Sequence, residues 1–116
     1  MTDLICLTIM LLSEVPHEPR LVQLGVAQTA IYRYEDGDYA SICDVVTAPN
    51  QYAMKPVDPA SPEYKDMEEF VADILRFTPP PVAHRAKFFT TKGYRHHPGL
   101  NEKQQLVLGN VTFWYD

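Results

Sequence analysis

Between Asp3 and Ser13 the chain carries Leu4, Ile5, Cys6, Leu7, Ile9, Met10, Leu11 and Leu12, which leaves almost no polar face. The run is long for a strand and rich in Leu and Met, so it reads as a helix. A helix that is apolar all round has to be buried. Asp3 suits the positive end of its dipole, and Pro16 stops it, because proline disfavours helical geometry in the residue before it. The run falls short of a membrane span. Asp3 stands where a signal peptide would carry basic residues, and no small-residue cleavage site follows, so a signal peptide is rejected. A buried helix needs other elements wrapped round it. With 116 residues, 46% of them hydrophobic, the chain has material for a single domain over residues 1–116, held without a metal or a disulfide.

The rest of the chain supplies those elements. Pro19 opens a second helix at the first-turn position that proline tolerates. It runs to about Tyr34, with Leu21, Leu24, Val26, Ala27, Ala30 and Ile31 as its apolar stripe. The cluster Glu35-Asp36-Gly37-Asp38 ends it in a turn. The stretch Ser41–Val46 is short and ambiguous, though Ser41 suits the cap of one or two helical turns. Gln51–Ala60, interrupted by Pro56 and Pro59, is loop or weak strand. Ser61 and Pro62 cap and start a third long helix, in which Met67, Phe70, Val71 and Ile74 follow helical spacing. Its other face, with Glu63, Asp66, Glu68, Glu69 and Asp73, reads as a solvated acidic surface. Pro79–Pro81 end it. Ala86–Thr91 looks like a strand and Tyr94–Gly99 like a loop. Gln105–Leu108 and Val111–Tyr115 flank Gly109-Asn110 as a hairpin does. Helices first and strands last predict an α+β domain with a small antiparallel part near the C-terminus.

Charge and cysteine content narrow the function. A net charge of −5 is a poor basis for gripping a phosphate backbone, so no nucleic-acid partner is expected. Cys6 and Cys43 are too few and too far apart for a disulfide scaffold and read as buried free thiols. From His84 to Lys103 there are five Lys or Arg, three His and one acid. That segment is either half of a groove for an anionic substrate or a solvated loop. His96 and His97 are adjacent and point apart on an extended chain, and no HExxH pattern exists, so no metal is expected.

The chemistry is carried by Ser13-Glu14-Val15-Pro16-His17-Glu18-Pro19. Glu14 falls at the C-terminal end of a buried helix, where the dipole and the apolar surroundings both oppose ionisation and push its pKa up. Glu18 falls at the start of the next helix, where the dipole favours a carboxylate. Two nearby carboxyls in opposed environments are what a protonated acid beside a charged partner requires. A proton donor for a glycosidic oxygen needs such a raised pKa. Two glutamates around a helix–helix turn also serve as ordinary capping and surface residues, and spacing alone does not separate the two readings.

A resemblance does. Glu14–Arg33 (EVPHEPRLVQLGVAQTAIYR) resembles the opening motif of the cell-wall hydrolase family typified by the catalytic domain of spore cortex-lytic enzymes, with Glu14, Glu18, Pro19, Gln23, Val26, Ala27 and Arg33 matching at the right spacing. Ser41–Tyr52 (SICDVVTAPNQY) is similar to a second block of that family, and Leu108–Trp114 (LGNVTFW) to its closing block. The blocks come in family order and cover nearly the whole chain. The departures are Val22 for a glycine, Tyr32 for an asparagine, Val111 for a histidine and Trp114 for a tyrosine.

The resemblance implies a lysozyme- or lytic-transglycosylase-like cleft and cleavage of peptidoglycan between N-acetylmuramic acid and N-acetylglucosamine. Glu14 is the matching catalytic acid and base, and no metal or cofactor is implied. The expected substrate contacts are Glu18, Gln51, Tyr52 and Trp114. Gln51 would bond an acetamido group and Tyr52 stack on a sugar face, or the pair is an ordinary loop. Trp114 is the aromatic to watch, because it and Phe113 point to opposite faces of a strand. The chain is expected to be made in the cytoplasm and to reach the wall after release, as a phage-encoded lysis enzyme does. Two alternatives stand beside this: a non-catalytic wall-binding or structural protein with the same fold, motivated by Val111 and Tyr32, and a metal-dependent amidase.

Overall fold

The computed structural model describes residues 1–92, 98–100 and 102–116. Its axis is α1 (Asp3–Glu14), capped by the Thr2 hydroxyl, which accepts the Ile5 N–H at 3.2 Å. No residue of α1 is exposed, and Cys6, Leu7, Met10 and Leu11 are fully buried. The all-round apolar pattern thus has its physical counterpart: α1 packs against α2 (Arg20–Glu35), α3 (Ile42–Thr47) and α4 (Pro62–Phe77) at once. Pro19 stands one position ahead of α2, as its cap residue. Ser41 caps α3 through Asp44 N–H, and Ser61 caps α4 through Tyr64 N–H, with Pro62 at the first position. Along α4, Tyr64, Met67, Val71 and Ile74 are buried and Glu63, Asp66, Glu69 and Asp73 are exposed. The helix ends where Thr78 turns left-handed, at φ 43°.

The last third is a three-stranded antiparallel sheet of β1 (Phe88–Thr91), β2 (Gln104–Leu108) and β3 (Val111–Tyr115), with β3 in the middle. Phe89 pairs with Phe113 and Thr91 with Val111 on one side, Leu106 with Phe113 and Leu108 with Val111 on the other. Alternation turns Val111 and Phe113 into the core shared with the helices and Trp114 to the opposite face. Gly109, at φ +57°, takes the first central position of the two-residue hairpin turn, where glycine is favoured. A single 3₁₀ turn covers Pro98–Leu100. Four helices and this sheet make one compact α+β body. Among the described residues no helix is long and apolar enough to cross a membrane. The expected loop at Tyr94–Gly99 lies largely outside the described residues, as do His96 and His97.

One expectation is overturned. Cys6 and Cys43 are not free thiols: they form a disulfide, with Cα atoms 5.3 Å apart. Their sequence separation of 37 hid this, because only the packing of α3 across α1 brings them together. The Asp3 carboxylate strengthens the same junction by accepting the Cys43 N–H at 2.9 Å.

Helix and sheet meet tightly at Gly25. A Cβ there would come within 2.6 Å of Phe113 Cζ, and that ring is fully buried and cannot swing aside. Gly25→Ala gains up to about 1 kcal/mol of helix propensity but overpacks the core, which costs about 1–3 kcal/mol. The variant is expected to be destabilised, with a lower denaturation midpoint and an unchanged far-UV spectrum.

Candidate active site

Glu14 is the last residue of α1, and three devices hold it there. The first is the helix stop. Pro16 ends α1, and the Val15 N–H closes the final turn onto the Leu11 carbonyl at 2.9 Å. The second is Gln23, buried on α2, whose side-chain amide donates to the Val15 carbonyl at 2.9 Å. A buried helix end with an orphaned carbonyl is costly, and Gln23 removes that cost. Its own oxygen accepts from Arg20 at 2.8 Å, and Arg20 in turn pairs with Asp66 and lies 4.5 Å from the Phe70 ring centroid. The third is the segment after α3, which straps across the end of α1. Ala53 N–H donates to Glu14 Oε1 at 2.5 Å, and Lys55 N–H donates to the Ser13 hydroxyl at 2.8 Å. Of the two expectations for Gln51–Ala60 the structure shows the loop, not the strand, and that loop is tied down as a tether.

The Glu14 carboxyl opens on a groove of about 350 Å³ between the α1–α2 turn and the sheet. Glu18, Thr91, Lys92 and Asn110 also line it. Glu18 Oε1 accepts the Asn110 N–H at 3.2 Å, which seats the hairpin on the start of α2. This contact explains Gly109 further, because a Cβ there would lie 2.7 Å from Glu18 Oε2. Burial pushes the Glu14 pKa above its ordinary value, against the opposing pull of the Ala53 N–H and the Lys55 cation. The direction is the one expected from the sequence, and burial is its main cause.

A raised pKa in the folded state has a consequence for stability. Glu14 holds its proton more tightly folded than unfolded. Its favourable contribution is complete below the ordinary value of 4.5 and is lost as pH rises through the raised one. Glu14→Gln cannot ionise and keeps an oxygen for Ala53. It is expected to be at least as stable as the wild type at neutral pH, with the advantage fading toward acid. Thermal melts across pH check this; an advantage that grows on acidification would contradict it.

The other expected site residues divide. Glu18 shares the groove with Glu14. Tyr52, immediately before Ala53, is part of the tether: its hydroxyl lies 3.0 Å from Thr29 Oγ1 and its ring packs 5.9 Å from that of Phe89. Burial raises its pKa, the Arg33 cation lowers it, and the Glu14 carboxyl adds to the rise, so Tyr52 lies under the influence of both. Gln51 is exposed and accepts from Arg33 Nη1 at 2.7 Å. Trp114 is not brought to this groove. It is buried on the outer face of the sheet, donates to Thr90 Oγ1 at 3.0 Å, and lines a separate depression of about 270 Å³.

Three basic side chains of the segment from His84 to Lys103 are paired. Arg85 pairs with Glu35 at 3.0 Å, Lys87 with Asp36 at 2.8 Å and Lys103 with Asp116 at 2.6 Å. Of the described basic residues of that segment, Lys92 lines the Glu14 groove. Among the described residues no three of His, Cys, Asp and Glu gather as a metal site. The roles of Gln23, Thr29 and the Ala53 N–H were missed by sequence reasoning. The one signal for them is that Gln23, Gln28 and Thr29 interrupt the buried side of α2, where a polar side chain needs a partner. Gln28 answers the same need elsewhere: it bonds the Pro79 and Pro80 carbonyls and the Val82 N–H, fastening the segment after α4. No family model matches the chain, and no curated protein and no solved structure matches it either.

Proposed function

We propose that this chain cleaves the peptidoglycan glycan strand between N-acetylmuramic acid and N-acetylglucosamine, as a lytic transglycosylase with Glu14 as acid and base. The observation that carries the reading is a half-buried glutamate, its pKa raised by burial, opening on a groove between helix and sheet. The resemblance of residues 14–33, 41–52 and 108–114 to the cell-wall hydrolase family supports it. The groove is then the counterpart of a lysozyme-like cleft.

In this reading protonated Glu14 gives its proton to the glycosidic oxygen as the bond from the muramoyl C1 breaks. The carboxylate then takes the proton of the 6-hydroxyl on the same sugar, whose oxygen closes on C1. The product is a 1,6-anhydro end, and no water is consumed. Because the substrate supplies its own nucleophile, a second catalytic carboxylate is not needed. Glu18, on the groove wall, and Gln51 and Tyr52, along the tether, are the substrate contacts. The reading leaves out Trp114, which lines a different depression. The Cys6–Cys43 disulfide agrees with action outside the cytoplasm, where such bonds persist.

A second reading has one observation in its favour. Val111, at the position that resembles the family's histidine, is fully buried in the core and offers the groove no polar group. A wall-binding protein without turnover would tolerate that. Digestion of purified peptidoglycan by the wild type and by Glu14→Gln, read by mass spectrometry, separates the readings. Anhydro-muramoyl ends from the wild type alone support the transglycosylase. Hydrated reducing ends lost in the variant make it a hydrolase. Binding without fragments from either protein favours the second reading.

A further inference from the structure

We infer that the depression beside Arg33, between the tether and β1, is a carboxylate site that takes an acidic side-arm of the strand being cut. This rests on the reading of the Glu14 groove as a glycan-cleaving site. The depression, of about 330 Å³, is lined by Arg33, Asn50, Gln51, Phe88, Thr90 and Lys103. Arg33 is half-buried, and its guanidinium lies 4.4 Å from the Phe88 ring centroid and 5.2 Å from that of Tyr52. Set against two rings, it is restrained in position. A guanidinium carries five N–H donors. Nε gives one to the Lys87 carbonyl at 2.6 Å and Nη1 gives one to Gln51 at 2.7 Å. Both terminal nitrogens therefore keep an N–H with no acceptor among the described residues.

Arg33 differs from the other cations that surround the hollow. Arg85, Lys87 and Lys103 each pair with a carboxylate, whereas Arg33, like Lys55, Lys65, Arg76 and Lys92 elsewhere on the surface, has no such partner among the described residues. A planar, pre-oriented, unpaired guanidinium in a partly desolvated hollow is suited to a carboxylate, which it can hold by two parallel bonds. Lys103, already on Asp116, adds only a second positive charge near the Phe88 ring, at 5.3 Å from its centroid.

The position fits a substrate held at Glu14. Arg33 is bonded to the side chain of Gln51 and Glu14 to the backbone of Ala53, so both are anchored on the same short stretch of the tether. The hollow is lined by Thr90 and the Glu14 groove by the next residue, Thr91, so a muramoyl unit held at Glu14 can turn its lactyl arm toward Arg33. The anionic groups of that arm are carboxylates, either the lactyl carboxylate itself or those of an attached stem peptide.

Isothermal titration of the non-cutting Glu14→Gln protein tests this with three forms of solubilised strand: intact, stripped of stem peptides, and intact with its carboxylates converted to carboxamides. Conversion to carboxamides is expected to weaken binding at least tenfold. Arg33→Gln in the same background should lose a similar factor on the carboxylate forms and stay within twofold on the carboxamide form. Stripped strands that bind as well as intact ones support the site and identify the lactyl carboxylate as its ligand. Weaker binding of stripped strands supports it with the stem-peptide carboxylate as ligand. Equal affinity for carboxylate and carboxamide forms overturns the site, and that comparison needs no Arg33 variant to fold. If the wild type still cuts strands in that case, the Glu14 reading stands alone. If no form is bound or cut, the Glu14 reading fails and the carboxylate site fails with it.

Discussion

Glu14→Gln is expected to lower strand cleavage by about 10²–10⁴-fold, the usual contribution of a general acid and base, while leaving strand binding intact. The substitution isolates the proton. Glutamine has the shape of the protonated acid, and its side-chain oxygen can still accept the Ala53 N–H that holds Glu14 in place. What it lacks is a proton to give at neutral pH and a carboxylate to take one back. Any loss is therefore chemical rather than architectural, and circular dichroism should be unchanged. The pH profile of the wild type carries the same information. Activity that needs protonated Glu14 falls as pH rises through its raised pKa, a limb displaced upward from the ordinary carboxylate range because burial opposes the charge. A variant that cuts as fast as the wild type would remove Glu14 from the mechanism.

Loss of the Cys6–Cys43 bond is expected to cost about 4 kcal/mol. The bond closes a loop of 37 residues, and the entropy that such a closure removes from the unfolded chain corresponds to that amount at 25 °C. Against a total stability of roughly 5–15 kcal/mol for a domain of this kind, that is a large share. The loop includes all of α2, so the reduced chain is freed over a segment that carries Gln23, Gly25 and Arg33. Denaturation of Cys6→Ala/Cys43→Ala, and of the wild type in reductant, should show the same fall in midpoint. The disulfide also ties α3 to the N-terminal half of α1, so its loss should reach the tether that follows α3 and, through it, the seat of Glu14. An unchanged midpoint in reductant, with two titratable thiols, would return both residues to the free-thiol reading.

Much of the architecture was legible locally. The all-apolar run of α1, the Ser61-Pro62 start of α4 and the Gly109-Asn110 turn are local signals, each set by the conformational preference of a few neighbouring residues. All three elements formed where those signals put them. Glu14 was legible for the same reason: a helix that ends at Pro16 leaves it on the rim of a buried element. The disulfide, the tether and the Trp114 environment were not, because they depend on distances between segments. A cysteine 37 residues from its partner carries no spacing signal. Nothing in Gln51–Ala60 announces that its backbone amides will meet Ser13 and Glu14. Trp114 alternates with Phe113 as expected, but which face of the sheet looks toward the groove was decided by the docking of Phe113 against Gly25.

By itself, then, the sequence determined the elements, their caps and the residue at the end of α1, because hydrophobic period, proline and glycine act over a few residues. Only the tertiary structure decided which side chains share the groove with Glu14, that Gln23 closes the helix end beneath it, and that Arg33 is left with donors to offer. Those outcomes depend on which buried polar groups find partners once the helices and the sheet have packed, and that balance is settled across the whole chain.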